Sequence, residues 1–334
     1  MRPEWTIKTY QLVLLMLFSL ATIAQNQKYT FDYSDIEKFR DAYLAIESGA
    51  DPLIEMTNYF NSGSPGLKSW VSIYGMTPEK LAVQVEKRPK FYKNLLQVDE
   101  KLKTLEGTIS RGYTDLLKHL PNPNDTILPT YYFVLWGGGG SVRPNGSMIS
   151  VDYFGGGEHL DSAEFPEGIF PEGRIPFATL DDVPQVAIHE MVHWFQRKLQ
   201  GSDNYVSIYG NPDNSTLLAY AIREGGADMI TRLATGLVDK GKNEFGKKNE
   251  KEIWEAFKPS MLMNVDKVKG WFSGGFADKR EWPFQIGYYL GMEITQYYYD
   301  RAKDKEAALN DIFTAYRPEH FTKFVQVYEQ KFMR

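Results

Sequence analysis

The stretch His189-Glu190-Met191-Val192-His193 decides how the rest of this chain is interpreted. Two histidines four residues apart lie on the same face of an α-helix, so both imidazoles can reach one metal ion. Glu190 lies one step round the helix, where it can contact a metal-bound water without being a ligand. Zinc lowers the pKa of such a water, and the carboxylate can take its proton. The five residues therefore predict a helix that carries two zinc ligands and a general base.

The residues on either side of this motif favour an ordered helix over about 180–200. Thr179 is a suitable N-cap, and Pro184 comes early enough in the helix to be tolerated. Two aspartates between them lie in the first turn, where the helix dipole favours a negative charge. Apolar residues then recur near helical spacing, and Gly201 suits the end of the helix.

A catalytic zinc ion needs three protein ligands and one open position, so a third ligand must come from another segment. Residues 215–235 predict a second helix, in which Glu224 and Asp228 lie one turn apart beside an apolar stripe. The small residues at 225–227 would let another helix approach closely. Glu224 could then reach the zinc while Asp228 orients a ligand histidine through a hydrogen bond. The alternatives are a solvated Glu/Asp pair, and His159 as a competing third ligand.

The two motifs together resemble the gluzincin clan of zinc metallopeptidases. In that clan a Glu ligand follows on a second helix within an E-x-x-x-D pattern, which Glu224 and Asp228 match. The run from Ala221 to Asp228 is similar to the predicted Zn-dependent proteases of the DUF2268 type, and the resemblance covers about 185–235. It implies Zn²⁺ as the cofactor and an α+β, zincin-like fold, mainly helical with a small sheet above the active-site helix.

Composition and motif spacing exclude several other classes of protein. The chain has no cysteine, which rules out disulfides, thiolate zinc sites and cysteine-protease chemistry. A net charge of −5, a pI near 5.7 and the absence of a dense Lys/Arg cluster argue against nucleic-acid binding. The metzincin extension of the zinc motif is absent, because Gln196 stands at its glycine position and Leu199 at its last histidine.

The N-terminus is typical of an export signal. Arg2 and Lys8 precede a nearly continuous apolar run from Leu12 to Ile23, and small residues before Gln25 suit cleavage there. The apolar run is shorter than the ~20 residues needed to span a bilayer. We therefore expect residues 1–24 to be a signal peptide, with no stable membrane span after cleavage, and the protein to be bacterial and periplasmic or secreted.

The remaining chain divides by pattern into a mostly helical region at 25–129 and a zincin-like catalytic domain at 130–334. Whether the helical region is a separate domain stays open at this stage. Residues 130–136 and 147–153 alternate like two strands, and we expect them to form a hairpin with the glycines at 137–140 as its flexible loop. In the resembling zincins, a strand of this sheet runs along the cleft and pairs with an extended substrate.

The aromatic and glycine-rich run from Trp282 to Gly291 begins a helix, which we expect to end near Asp300. A similar glycine–tyrosine helix start follows the Glu helix in DUF2268-like proteins. Zincins often use a Tyr or His donor to stabilise the oxyanion of the tetrahedral intermediate. The resemblance makes Tyr288 the first candidate for this donor and Tyr289 the second, whereas the alternative for either is aromatic packing.

The export signal and the resemblance together imply an exported zinc metallohydrolase that acts on a peptide or protein substrate. His189, His193 and Glu224 would hold Zn²⁺, Glu190 would be the general base and Asp228 would orient a histidine. Two other functions remain open: a non-catalytic exported or cell-surface binding protein that keeps the fold, and an amidase acting on cell-wall peptides. The intact Glu190 argues against the first, since a purely structural protein needs no base.

Overall fold

The computed structural model describes residues 29–157, 160, 162–165, 178–211, 213–276, 278 and 280–333. The expected signal peptide and His159 lie outside the described residues. In the part of the chain that is described, no helix is both long and apolar enough to cross a membrane.

Six helices occupy the chain between the first and second strands of the sheet. Three of them begin in the same way, with a proline directly after a capping side chain, which is Asp51, Ser64 or Thr77. Such a side chain accepts a hydrogen bond from a free N–H of the first turn, where proline has none to lose. The helices are α1 Ser34–Glu47, α2 Pro52–Ser62, α3 Pro65–Tyr74, α4 Pro78–Lys87, α5 Pro89–Asn94 and α6 Val98–Leu117.

A small sheet of four strands lies among these helices. The strands are β1 Phe31–Asp32, β2 Thr130–Phe133, β3 Gly140–Arg143 and β4 Gly146–Ser150, in the spatial order β1-β2-β4-β3. The first three in that order are parallel, and β3 is antiparallel to β4. The expected α+β class, mainly helical with a small sheet, is confirmed.

The hairpin expected between residues 130–136 and 147–153 is wrong. Those segments contain β2 and β4, which are parallel neighbours, and a tight turn cannot join parallel strands. The chain instead crosses from β2 to β3, and the hairpin partner of β4 is β3, joined to it through Pro144 and Asn145.

The glycines at 137–140 are therefore not a hairpin loop. Gly140 is the first residue of β3, and a Cβ added there would come within 2.8 Å of the Glu190 side chain. A Cβ added at Gly139 would lie 2.8 Å from Tyr153. These two positions require glycine because other side chains pack directly against the backbone.

Seven further helices follow the sheet within the described residues after 178. The zinc motif lies on a helix as predicted: a 3-10 turn over Leu180–Asp182 leads into Val183–Gln200, and Thr179 and Asp182 form a capping box. The helices are α7 Val183–Gln200, α8 Ser202–Gly210, α9 Leu217–Thr235, α10 Lys240–Phe257, α11 Ile286–Arg301, α12 Lys305–Thr314 and α13 Pro318–Glu329.

Helices α9 and α11 approach each other more closely than side chains would allow. A Cβ added at Gly225 would lie 2.2 Å from the Gly291 backbone, and one added at Gly291 would lie 1.7 Å from the Ala221 carbonyl oxygen. The close approach predicted for residues 225–227 is thus confirmed, with α11 as the partner. This contact fixes α9, and with it Glu224, relative to the rest of the protein.

The last helix of the N-terminal region, α6, packs directly on the helix that carries the zinc motif. A Cβ added at Gly112 of α6 would lie 2.2 Å from Ile188 Cδ1 of α7. The neighbouring Tyr113 hydroxyl forms a 2.8 Å hydrogen bond with Thr130 of β2. Phe31–Arg334 forms one compact unit, which includes residues of both regions distinguished in the sequence.

Asp152 is a buried carboxyl directly after β4. Its side chain accepts a 2.6 Å hydrogen bond from Ser150 at Oδ1, but Oδ2 has no hydrogen-bond partner among the described residues. Burial raises the pKa of Asp152 to about 6. Since this pKa lies above that of an unfolded chain, the carboxyl destabilises the fold above pH 6 and has no such effect below pH ~4.

We predict that Asp152→Asn stabilises the protein at pH 7, because the amide carries no charge to desolvate. The difference between a pKa of about 6 in the folded protein and ~3.9 in the unfolded chain corresponds to roughly 3 kcal/mol of unfolding free energy. The advantage over wild type should shrink as the pH falls through 6 and disappear near pH 4. Urea unfolding of both proteins across this range measures it, and a difference that does not change with pH would contradict the prediction.

Candidate metal centre

Three buried side chains from two helices converge at one point. His189 and His193 lie one turn apart on α7, and Glu224 faces them from α9. Glu224 Oε2 lies 3.0 Å from His193 Nε2 and 3.4 Å from His189 Nε2. Each of the three residues is at most 7% exposed. Among the described residues, these three form the group of His, Asp and Glu side chains that could hold a metal ion.

The spacing of these atoms fits a tetrahedral zinc ion. Zinc binds imidazole nitrogen and carboxylate oxygen at ~2.0–2.2 Å, so two ligands at tetrahedral angles lie ~3.3 Å apart. The two distances from Glu224 to the imidazoles are close to this value. The donor set, two imidazoles and one carboxylate, is also one that catalytic zinc sites use.

The charges of the cluster favour a bound cation. Burial by itself would raise the pKa of Glu224, but both histidines outweigh it and hold the pKa well below its usual range. Burial would lower the pKa of His189, yet Asp228 and Glu224 raise it well above its usual value. The negative charges of the carboxylates therefore determine the potential at the site. They stabilise a positive charge between the imidazoles, whether it is a proton or a metal ion.

Asp228 lies where the sequence placed it, one turn after Glu224 on α9. Its Oδ1 is 2.8 Å from His189 Nδ1. When His189 donates its Nδ1–H to this carboxylate, the lone pair of Nε2 is left pointing at Glu224 and the metal position.

Gln196 has the same role for the second histidine, and the sequence analysis missed it. Its Nε2 donates to the Arg223 carbonyl at 3.2 Å, so its Oε1 accepts from His193 Nδ1 at 2.7 Å. One amide thus fixes the tautomer of His193 and ties α7 to α9 next to Glu224. The sequence signal was available: Gln196 follows His193 by three residues and shares its helix face.

Glu190 is partly exposed and faces β3. Burial raises the pKa of its carboxyl, and His193 and His189 oppose the rise. Gly140 of β3 packs against its side chain, as described above. The carboxylate therefore lies at the border between the zinc motif and the edge of the sheet.

The two tyrosines named from the sequence have different surroundings. The Tyr288 ring stacks on His189 with centroids 5.9 Å apart, and burial followed by the charges of Glu224 and Asp228 raises its pKa well above the usual value. Tyr289 instead packs on Gly246 of α10. Because side chains adjacent on a helix point in different directions, Tyr288 lies at the cluster of His189, His193 and Glu224 and Tyr289 does not.

Tyr209 is a further tyrosine at the site, and nothing in the sequence pointed to it. Its hydroxyl donates to Glu224 Oε1 at 2.9 Å, although the residue as a whole is 40% exposed. Helix α8, which carries it, is held by buried Arg223: the guanidinium donates to the Tyr205 carbonyl and lies 4.0 Å from the Tyr205 ring centroid. The Tyr209 hydroxyl thus bonds to Oε1 of Glu224, and the other oxygen, Oε2, faces the imidazoles.

The chain was compared with protein-family models, curated proteins and solved structures, and none of them matches it. The function proposed below therefore depends on the residues and geometry of the site.

Proposed function

We propose that this protein is an exported, zinc-dependent metallopeptidase of the gluzincin type with a zincin-like fold. One observation carries the proposal: Glu224 Oε2 lies 3.0 and 3.4 Å from the Nε2 atoms of His193 and His189, close to the ligand spacing of a tetrahedral zinc site, and Glu190 directly follows the first ligand. A zinc ion held there would polarise a substrate carbonyl and lower the pKa of a water molecule.

The chain supplies the groups that move and direct protons around this centre. Glu190 accepts a proton from the attacking water and passes it to the leaving nitrogen of the cleaved amide. Asp228 and Gln196 hold the two imidazoles in the tautomer that leaves Nε2 free of a proton. Tyr288, which stacks on His189, is the proposed donor to the oxygen that becomes negatively charged.

Strand β3 is the proposed backbone partner of the substrate. It is one of the two edge strands of the sheet, and its first residue contacts Glu190. An extended peptide that pairs along an exposed strand brings its backbone to a fixed position by main-chain hydrogen bonds. A peptide bond held next to Gly140 would lie beside the general base.

The test of this function is the zinc content of the purified protein, measured by elemental analysis after dialysis against zinc. We expect about one zinc ion per chain in the wild type. Glu224→Ala should weaken zinc binding by more than ~100-fold, because even partners of metal ligands contribute 10–100-fold to affinity.

Glu281→Ala is the matched control, since Glu281 is exposed and outside the site. It should bind zinc like the wild type. A wild type that takes up no zinc, or a Glu224→Ala variant that keeps full affinity, would refute the three-ligand site and with it the peptidase.

A further inference from the structure

Among the described residues no strand pairs with the outer edge of β3, and this unpaired edge offers the backbone groups of two residues. Val142 lies opposite Ser147 of β4, and the Ser147 N–H is bonded to Pro129 on the β2 side at 2.8 Å. In an antiparallel pair, directly opposite residues both face each other or both face away. The N–H and C=O of Val142 therefore point away from β4, and those of Gly140, two residues earlier, do the same.

Arg143 places a positive charge on this edge. Its guanidinium donates to the Val142 carbonyl at 2.9 Å, so the side chain lies along the unpaired edge. The residue is partly exposed, and no carboxylate of the described residues lies within ion-pair distance of it. A guanidinium has five N–H donors, and the others are available to a ligand that binds beside the strand.

The charge is carried by the strand that borders the proposed general base. Arg143 is the last residue of β3, and Gly140, the first residue, packs against the Glu190 side chain. The Tyr74 ring packs against Gly137 and Gly138, directly before this strand. The short strand therefore joins the guanidinium to the part of the site that holds Glu190.

We propose that Arg143 selects peptide substrates that carry a carboxylate about two residues from the cleaved bond. Val142 and Gly140 are two residues apart, ~7 Å along a strand, and Gly140 contacts the general base. A planar guanidinium binds a carboxylate through two parallel hydrogen bonds. This carboxylate belongs either to an Asp or Glu side chain or to the free C-terminus of the peptide, and the inference rests on the proposed peptidase function.

The experiment compares three sets of peptides of equal length. In the first, a single Asp is moved through an uncharged background with both termini blocked; in the second, Asn replaces that Asp; in the third, the C-terminus is a free carboxylate. Cleavage sites are read by mass spectrometry and rates are given as kcat/KM. We expect the Asp set or the free-terminus set to be cleaved about 10- to 100-fold faster than the Asn set, about two residues from the carboxylate.

Variants of Arg143 then test whether this residue causes the preference for a carboxylate. Arg143→Gln should remove the preference, so that the Asp and Asn sets are cleaved at equal rates, and Arg143→Glu should transfer the preference to peptides with Lys at the same position. Arg143→Lys keeps the charge but not the paired donors, so part of the preference should remain. Arg111→Gln, at an exposed arginine on α6, is the control and should behave like the wild type.

A separate binding measurement distinguishes failure of this inference from failure of the proposed function. The same peptides are titrated by calorimetry into Glu190→Gln protein, in which cleavage is blocked. If no peptide is cleaved by the wild type but the Arg143-dependent preference appears in binding, only the peptidase is refuted. If carboxylate peptides are neither cleaved nor bound better than their Asn or amide counterparts, or if Arg143→Gln keeps the preference, the inference is overturned.

Discussion

Replacing Glu190 with Gln should leave the zinc content unchanged and lower peptide hydrolysis by about 10²- to 10⁴-fold. The amide has nearly the same shape as the carboxylate, so the side chain can keep its place against Gly140. It cannot accept a proton at neutral pH, and the attacking water therefore loses its base. The measurement is kcat/KM on a cleaved peptide together with zinc content.

Glu281→Gln makes the same chemical change at an exposed position and should keep full activity. If this control keeps its activity, the loss of hydrolysis in Glu190→Gln comes from the substituted position and not from the preparation of the protein. Undiminished hydrolysis by the Glu190→Gln protein would show that another group is the base. Loss of zinc in that variant would show that Glu190 supports the metal centre rather than the proton transfer.

Gly291→Ala should strongly destabilise the fold, since Gly291 gives the shortest Cβ contact of the glycines in the described residues. The added Cβ would lie 1.7 Å from the Ala221 carbonyl oxygen, which belongs to a helix backbone and cannot rotate away. Helices α9 and α11 would have to separate, and overpacking of this kind costs about 3 kcal/mol or more. Because α9 carries Glu224, we also expect weaker zinc binding. Urea unfolding and zinc titration measure the two effects.

Gly107→Ala tests whether the effect comes from the contact or from the loss of a glycine. Gly107 lies inside α6, and the nearest atom to an added Cβ is 3.7 Å away, at the end of the Arg111 side chain. Alanine in an open helix position should stabilise the protein by roughly 0.5–1 kcal/mol. The two substitutions should therefore change stability in opposite directions, and a small or stabilising effect of Gly291→Ala would contradict the close helix contact.

Features set by neighbours in the chain were predictable. The helix around the zinc motif begins after Thr179 and ends before Gly201, because caps and turn residues act within a few positions. The spacing of His189 and His193 puts them on one face of that helix whatever surrounds it. The E-x-x-x-D spacing likewise predicts that Asp228 lies one helical turn after Glu224.

Strand pairing was not predictable in the same way. Two alternating segments separated by glycines fit a hairpin, yet β2 and β4 are parallel, and β3 forms the hairpin with β4. The alternation of side chains shows which face of a strand is buried but not which strand lies beside it. Which strand becomes the neighbour depends on how the whole chain crosses from one strand to the next.

The sequence by itself determined the motif helix, its two imidazoles, the adjacent base and the small residues that allow helix contact, since each depends on separations of a few residues. Only the tertiary structure decided that α9 lies against α7, so that Glu224 meets both imidazoles. It also brought in Tyr209 from α8 and Gly140 with Arg143 from β3. These contacts join segments 15 to 50 residues apart in the chain, and packing fixes such distances where local spacing cannot.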